Sequence, residues 1–199
     1  MVLIVICLYS PQRNTKGNTR EHKGKRTGEK RSGKIIISIM SVIFRPIEEK
    51  DNKEIAEVIR TVFREFGIHR PGTVYFDPTT DDLFTLFRTP GSEYWIAEED
   101  GIIIGGCGVF PTPLLPEGCA ELVKFYLSSS QRGKGTGWQL MSKTLDSARK
   151  FGYKKLYLES LPELRKAISL YERAGFEFLE GPLGKSGHFG CSIWMIKNL

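Results

Sequence analysis

The amino-acid sequence predicts an α/β (α+β) fold in which helices flank one mixed, mostly antiparallel central sheet. Two observations carry this prediction: a run of antiparallel strands comes first, and a strand, helix, strand, helix, strand order follows it. No internal repeat is visible. Because 199 residues with 40% hydrophobic content can bury one substantial core, we expect a single domain.

The positive charge of the chain is concentrated before this domain. The net charge is +6, yet residues 40–199 contain 20 basic against 21 acidic residues, whereas residues 1–39 contain nine Lys or Arg and two Glu. Since residues 10–34 lack apolar periodicity, we expect 1–39 to be a basic, disordered N-terminal extension and 40–199 to be the folded domain. A start codon placed too early is the favoured explanation of this extension.

A nucleic-acid-binding arm is the alternative explanation of residues 1–39, weakened because no aromatic side chains are interleaved for base stacking. The near-neutral residues 40–199 are not expected to bind nucleic acid. The apolar run 2–8 is too short to span a bilayer, and no basic segment precedes it, so we expect a cytoplasmic protein without a membrane partner. The four cysteines and three histidines are scattered, which predicts neither a disulfide framework nor a metal site.

The domain begins with the predicted strand VIFRPI, residues 42–47, and an amphipathic helix follows. Asp51 and Glu54 have the D-x-x-E spacing of a capping box, and Gly67 is the expected helix stop. The apolar face of the helix consists of residues at helical spacing: Ile55, Val58, Ile59, Val62 and Phe66.

A loop, a short helix and a hairpin come next. The loop GIHRPGTVYFDPTTDD, residues 67–82, either shapes a substrate pocket or only connects its neighbours. The short helix carries Leu83, Leu86 and Phe87. The segment EYWIAEEDGIIIGGCGVF then predicts a hairpin with its tight turn at residues 99–101, and CAELVKFYL predicts the third strand of the sheet.

Helices and strands alternate in the remainder of the chain. One helix has the apolar face Leu140, Met141, Thr144, Leu145 and Ala148 and ends at Gly152, before the strand KLYLES. Ser160 and Glu163 have the spacing of a capping box for the next helix, which ends at Gly175. Its apolar stripe is Leu164, Ala167, Ile168 and Tyr171, and the segments FEFLE and CSIWMIKNL form the last strands.

The stretch SSSQRGKGTGWQL, residues 128–140, connects a strand to a helix through three glycines. Such a turn presents unpaired backbone N–H groups at the positive end of a helix dipole, where an anion binds. The spacing matches neither the Walker pattern nor the dinucleotide pattern G-x-G-x-x-G. A plain flexible turn remains the alternative to a phosphate site.

Two motifs carry a family resemblance. The segment QRGKGTG fits R-x-x-G-x-G as Arg132, Gly135 and Gly137, and AISLYERAGF, residues 167–176, places a Tyr on a helix before Gly-Phe. Together they resemble the two signatures of the GNAT superfamily of acyl-CoA-dependent N-acyltransferases. The segments PGTVYFDPTTD, LPEGCAELVKFYL and GHFGCSIWMIK are similar to a group of bacterial members of undefined substrate.

The resemblance implies that acetyl-CoA lies as acyl donor between the strand ending at Leu127 and the strand KLYLES, and it implies no metal. Tyr126 and Leu127 would offer main-chain contacts to the pantetheine arm. The residues implied to hold the diphosphate are Arg132, Gly133, Lys134, Gly135, Thr136 and Gly137. Many members carry an Asn at the start of the Tyr-bearing helix; this chain has SLPEL there, so the contacts at that point would come from backbone or Ser160.

The same resemblance supplies candidate catalytic residues. Tyr171 would be the acid that donates to the departing thiolate, the less favoured alternative being an ordinary core Tyr on this apolar stripe. Glu121 would be the base that takes the amine proton, the alternative being an edge glutamate that faces solvent. His188 is the second candidate for the base, and a strand N–H near Phe125 would polarise the thioester carbonyl.

The sequence therefore predicts an N-acetyltransferase that transfers acetyl from acetyl-CoA to a primary amine of a small molecule or peptide by direct attack. Two alternatives stay open: a non-catalytic acyl-CoA sensor, and nucleic-acid association through the basic extension. The sequence identifies neither the acceptor nor the oligomeric state, with which a homodimer is compatible.

Overall fold

Seven strands form one sheet in the order β1-β2-β3-β4-β5-β7-β6 in the computed structural model, which describes residues 41–199. The strands are β1 (Val42–Pro46), β2 (Glu93–Glu99), β3 (Ile102–Phe110), β4 (Cys119–Leu127), β5 (Lys155–Ser160), β6 (Glu177–Phe178) and β7 (Ile193–Asn198). Neighbouring strands are antiparallel except β4 and β5. The predicted mixed, mostly antiparallel fold is confirmed. The predicted extension, residues 1–39, lies outside the described residues.

Helices cover both faces of this sheet. They are α1 (Asn52–Glu65), the single turn α2 (Leu83–Leu86), α3 (Thr136–Lys150) and α4 (Arg165–Arg173). Ile55, Ile59 and Phe63 of α1 pack in one core with residues of β2 and β3. Leu140 and Met141 of α3 and other residues pack in a second core on β3, β4 and β5. The two amphipathic faces therefore account for the layering.

Turn chemistry explains the ends of several elements. Asp100 and Gly101, the two residues between β2 and β3, have φ angles of 51° and 81°. Positive φ at both central positions is what a tight two-residue hairpin requires, so the predicted Asp-Gly turn is confirmed. Gly67, Gly152 and Gly175 also have positive φ and follow α1, α3 and α4, as predicted.

Both predicted capping boxes are wrong. The side chain of Asp51 accepts hydrogen bonds from Arg45 and from the Glu48 backbone N–H and forms a capping box with Glu48, so it caps no residue of α1. Helix α4 begins at Arg165 without a side-chain cap, because Ser160 ends β5 instead. In the first case an ion pair takes the Asp51 side chain. In the second, residues 161–164 lie between the strand and the helix, so Ser160 is too far from the first turn of α4 to cap it.

The predicted apolar face of α1 needs one correction. Phe66 is 38% exposed, whereas Phe63 is buried at 1% exposure and belongs to the core. Phe66 is the C-cap residue of α1, and its ring lies under the Arg132 guanidinium instead of in the core.

A β-bulge in β4 determines which side chains reach the site. Gly106 pairs with Tyr126 and Gly108 with Val123, so β4 has one extra residue, and Lys124 there has a φ of 50°. Val123 lies before the bulge and Tyr126 lies after it, and both pack on the α1 side of the sheet. The bulge therefore shifts by one residue the alternation of side chains between the two faces.

Candidate functional site

The parallel pair β4 and β5 opens into a cleft. Only three residues of β4 pair with β5, the last being Glu121 with Tyr157, and the strands separate beyond that point. The cleft has a volume of about 950 Å³. Its lining comes from the end of β4, the glycine turn and helix α4, including Phe125, Leu127 and Leu170. A long, slender ligand can therefore lie between strand and helix.

The glycine turn lies at one end of this cleft. Gly133 and Gly135 have φ angles of 81° and 90°, which a residue with a Cβ adopts only under strain, and both line the cleft. Helix α3 begins at Thr136, which is buried, and the Gln139 N–H donates to the Gly135 carbonyl. The preceding N–H groups of the first turn are those that a helix leaves unpaired. They form a cradle suited to an anion.

Gly137 brings α3 close to the end of β4. A Cβ at Gly137 would lie 3.1 Å from Leu127 and 3.5 Å from both Leu170 and Phe125. The third glycine of the motif therefore serves close packing beside the cleft, whereas Gly133 and Gly135 serve backbone conformation.

Two cations flank the turn in different ways. Arg132 donates from Nε to the Leu127 carbonyl at 3.1 Å, pairs with Glu65 at 2.5 Å and lies over the Phe66 ring at 5.2 Å from its centroid. Lys134 is exposed. Arg132 thus ties the turn to β4 and to the end of α1, while the exposed Lys134 side chain can reach an anion at the turn.

A smaller cavity of about 40 Å³ adjoins the cleft, and Phe125, Tyr126 and Leu164 line both. Both predicted catalytic residues, Glu121 and Tyr171, line this smaller cavity. The structure therefore brings together the predicted acid and base at the junction of a long cleft and a small pocket. His188, the second candidate for the base, lines the same cavity.

Tyr171 lies on α4 with 5% exposure. Its ring packs at 6.1 Å from the Phe125 ring and 5.9 Å from the Phe176 ring, measured between centroids. Burial raises its pKa well above the usual range, so the phenol stays protonated at neutral pH. Within residues 41–199 no hydrogen-bond partner faces its hydroxyl, which leaves the proton available for a ligand in the cavity.

Glu121 is also buried, at 3% exposure, which removes the alternative of an edge glutamate in solvent. Its Oε2 accepts a hydrogen bond of 2.5 Å from Thr112 Oγ1. Burial, together with the nearby Glu159 charge, raises its pKa to about 7, against the effect of the Thr112 hydrogen bond. A carboxyl that titrates near neutrality can both take and release a proton at the working pH.

The sequence analysis missed a charged cluster beside these residues. Lys124 Nζ, on the bulge of β4, donates to Asp77 Oδ2 at 2.5 Å and to Thr80 Oγ1 at 3.1 Å. His188 Nε2 lies 3.1 Å from the same Asp77 oxygen. Burial alone would raise the pKa of Asp77, but hydrogen bonds from His188 and Lys124 hold it well below its usual range. Asp77 therefore ties two loops to β4 at the pocket.

The loop after β6 is tied to β5 by a second set of bonds. Glu159 accepts from Tyr157 Oη at 2.9 Å through Oε1 and from Ser186 Oγ at 2.8 Å through Oε2. The Leu183 N–H donates to Tyr157 Oη at 3.1 Å. These bonds bring His188 and its neighbours over the small cavity, so the loop 179–192 is part of the site.

The start of α4 offers polar groups where the expected Asn is missing. Ser160 is buried at the end of β5, and its carbonyl accepts from the Ser192 N–H. Glu163 lines the cleft, and its Oε1 accepts from Arg70 at 3.0 Å. Ser160 lines the small cavity rather than the long cleft.

Two negative findings concern residues 41–199. None of the helices described there is both long enough and apolar enough to cross a membrane. In the same part of the chain, no three side chains of His, Cys, Asp or Glu are grouped so that they could hold a metal ion.

A family model and a curated protein both match this chain in sequence. The family model described as "Acetyltransferase (GNAT) family" matches residues 54–176. The curated protein "Uncharacterized N-acetyltransferase YjgM" of Escherichia coli is 37% identical over 164 residues, which cover 82% of this chain and 98% of that protein.

Solved structures share the fold at lower sequence identity. A GNAT-family acetyltransferase from Staphylococcus aureus Mu50 has a TM-score of 0.71 at 19% identity, over 80% of this chain and 99% of that one. YncA of Salmonella typhimurium, a putative acetyltransferase solved with its cofactor acetyl-CoA, has a TM-score of 0.62 at 18% identity, over 80% of this chain and 94% of that one.

Proposed function

The chain belongs to the acetyltransferase (GNAT) family and is an acyltransferase, and from this premise we propose that it transfers acetyl from acetyl-CoA to a primary amine by direct attack. The observation that carries this proposal is the junction of cleft and pocket: Tyr171 and Glu121, a neutral phenol and a carboxyl of pKa about 7, line one cavity beside a long cleft that ends at an anion cradle.

The proposed cofactor contacts follow the shape of the cleft. The diphosphate of acetyl-CoA binds the N–H groups of the turn from Gly133 to Gly137, with Lys134 as the added charge. The pantetheine arm runs along Tyr126 and Leu127, where β4 has no pairing partner in β5. This course brings the thioester to Phe125 and Tyr171, where the cleft meets the small pocket.

In the proposed reaction the acceptor nitrogen loses two protons, one to Glu121 and one that replaces the proton given to the leaving sulfur. The ionised Glu121 takes a proton from the ammonium of the acceptor, and the freed lone pair attacks the thioester carbon. As the carbon–sulfur bond breaks, the Tyr171 hydroxyl donates its proton to the sulfur, and the adduct nitrogen gives up its second proton to the phenolate, which restores the hydroxyl. Glu121 releases the first proton to solvent. Direct attack is also supported by the cysteines, because burial raises the pKa of both Cys107 and Cys191 to about 12 and keeps these thiols protonated.

This scheme predicts a bell-shaped pH profile of kcat/KM for the amine. The rate should rise through the pKa of Glu121, about 7, because the base must be ionised. It should fall near pH 10, because the acceptor amine loses its proton in solution there and less of the ammonium form remains for Glu121 to deprotonate. The measurement is the initial rate of CoA thiol release between pH 5.5 and 10.5. A rate that keeps rising through pH 10 would show instead that the enzyme takes up the neutral amine from solution.

Other sequence predictions stay predictions. They are the division of the chain at residue 40, the cytoplasmic location, and association as a homodimer. Nucleic-acid binding through residues 1–39 is a separate property that this proposal does not need.

A further inference from the structure

Both acidic and basic side chains line the small cavity, but they differ in whether they have partners of opposite charge. Its lining includes the carboxyl groups of Glu121 and Glu159 and the cationic or titratable groups of Lys124 and His188. The kind of ligand that can bind depends on which of these charges already have a partner of opposite charge. A charge in a close ion pair attracts an incoming group only weakly.

The cations at this cavity are paired. Lys124 is 6% exposed and pairs with Asp77 at 2.5 Å, and His188 lies 3.1 Å from the same carboxylate. Arg70, on the loop beside the cavity, pairs with Glu163 at 3.0 Å. An acceptor carboxylate would have to displace Asp77 or Glu163 to gain one of these cations.

Among residues 41–199, neither carboxyl group is paired with a cation. Within that range Glu121 accepts from the Thr112 hydroxyl alone, and Glu159 accepts from the hydroxyls of Tyr157 and Ser186. In the part of the chain that the structure describes, no Lys, Arg or His nitrogen lies within 4.0 Å of either carboxyl group. Each oxygen retains an unused lone pair after these bonds. Glu121 and Glu159 both line the small cavity, so one ligand there can contact both carboxyl groups.

We propose that the acceptor is an unbranched aliphatic amine that carries a second positive charge and no carboxylate: Glu121 receives the reacting ammonium and Glu159 binds the other cation. This inference rests on the proposed acetyl transfer and adds the substrate class. The cavity volume of about 40 Å³ favours a slender aminoalkyl end over a branched or ring-bearing amine. Glu159 acts in binding, since Glu121 is the group at the transferred proton.

Three compounds with the same four-carbon chain test this class. 1,4-Diaminobutane carries a second ammonium, n-butylamine a methyl group and 4-aminobutanoate a carboxylate. For the full-length protein, we expect kcat/KM to fall at least tenfold from the diamine to the monoamine and again to the amino acid. Acetyl transfer is followed by CoA thiol release and by the mass of the product.

Glu159→Gln should reduce the preference for the diamine over the monoamine to less than threefold, through a higher KM for the diamine and an unchanged KM for acetyl-CoA. The matched control is Glu172→Gln, which removes an exposed carboxylate of α4 and should keep the preference. The series on the unaltered protein tests the class even if the Glu159 variant is unstable.

Equal or reversed preference for 4-aminobutanoate would overturn the inference. So would the absence of transfer to all three compounds by a protein that binds acetyl-CoA in calorimetry, and that result would leave the proposed cofactor in place. Absence of acetyl-CoA binding would overturn the proposed function together with the inference.

Discussion

Glu121→Gln is expected to lower kcat for acetyl transfer by a factor of about 10² to 10⁴, the contribution typical of a general base. The amide keeps the shape of the side chain and can still accept from Thr112, but it cannot take the amine proton. Initial rates with saturating acetyl-CoA and amine measure the loss. The acidic limb of the pH profile, which we attribute to a pKa of about 7, should disappear from the residual activity.

The same substitution should stabilise the protein at alkaline pH. The folded-state pKa of Glu121 is raised from 4.5 to about 7, so the folded state holds its proton more tightly than the unfolded chain. Stability is therefore lost as pH rises from 4.5 through 7, and a neutral amide avoids that loss. We expect the free energy of unfolding of Glu121→Gln to exceed that of the parent by about 1–3 kcal/mol at pH 8 and by little at pH 4.5.

Glu117→Gln is the matched control, because Glu117 is an exposed carboxylate just before β4. It should change neither the rate nor the pH dependence of unfolding. Full activity in Glu121→Gln would remove Glu121 from the mechanism and leave His188 as the candidate base. A loss of stability at pH 8 would contradict the energetic cost that we assign to burial of this carboxylate.

Tyr171→Phe is expected to lower kcat by about 10²-fold, because the thiolate would leave without a proton donor. The ring contacts with Phe125 and Phe176 stay, and the hydroxyl has no partner within residues 41–199 that the change would leave unpaired. Affinity for acetyl-CoA should therefore stay within twofold of the parent value. Calorimetry and steady-state rates on one preparation separate the two effects.

Tyr153→Phe is the control for the loss of a tyrosine hydroxyl. Tyr153 Oη donates to the Gly91 carbonyl at 2.9 Å, away from the cleft. This variant should lose some stability and keep its kcat. If Tyr171→Phe also kept its kcat, Tyr171 would be a core residue and another group would protonate the thiolate.

The spacing of apolar residues and the glycines at the turns made most of the fold predictable. The strands CAELVKFYL and KLYLES have the predicted ends, because glycine or a change of period bounds them. The first capping box failed because Asp51 pairs with Arg45, which lies on β1. The second failed because α4 begins only at Arg165, beyond the reach of Ser160. A partner supplied by another element cannot be deduced from the spacing of one segment.

The candidate site was predictable only where a motif names its residues. The motifs pointed to Tyr171 and the glycine turn, and the positive φ angles of Gly133 and Gly135 agree with that interpretation. Lys124 and Asp77 were missed because the bulge in β4 turns Lys124 inward, and strict alternation does not predict it. A Lys inside the apolar strand ELVKFYL, together with Asp77 before a proline, was the available signal.

Calorimetric titration of acetyl-CoA into the full-length protein tests the central claim most directly. We expect binding, and we expect the double variant Arg132→Ala, Lys134→Ala to weaken it tenfold or more, because it frees the turn from Leu127 and Glu65 and removes the added charge. The control pair Arg149→Ala, Lys150→Ala removes the same charge at the far end of α3 and should bind like the parent. No binding by the parent, or equal binding by both double variants, would contradict a cofactor held at the glycine turn.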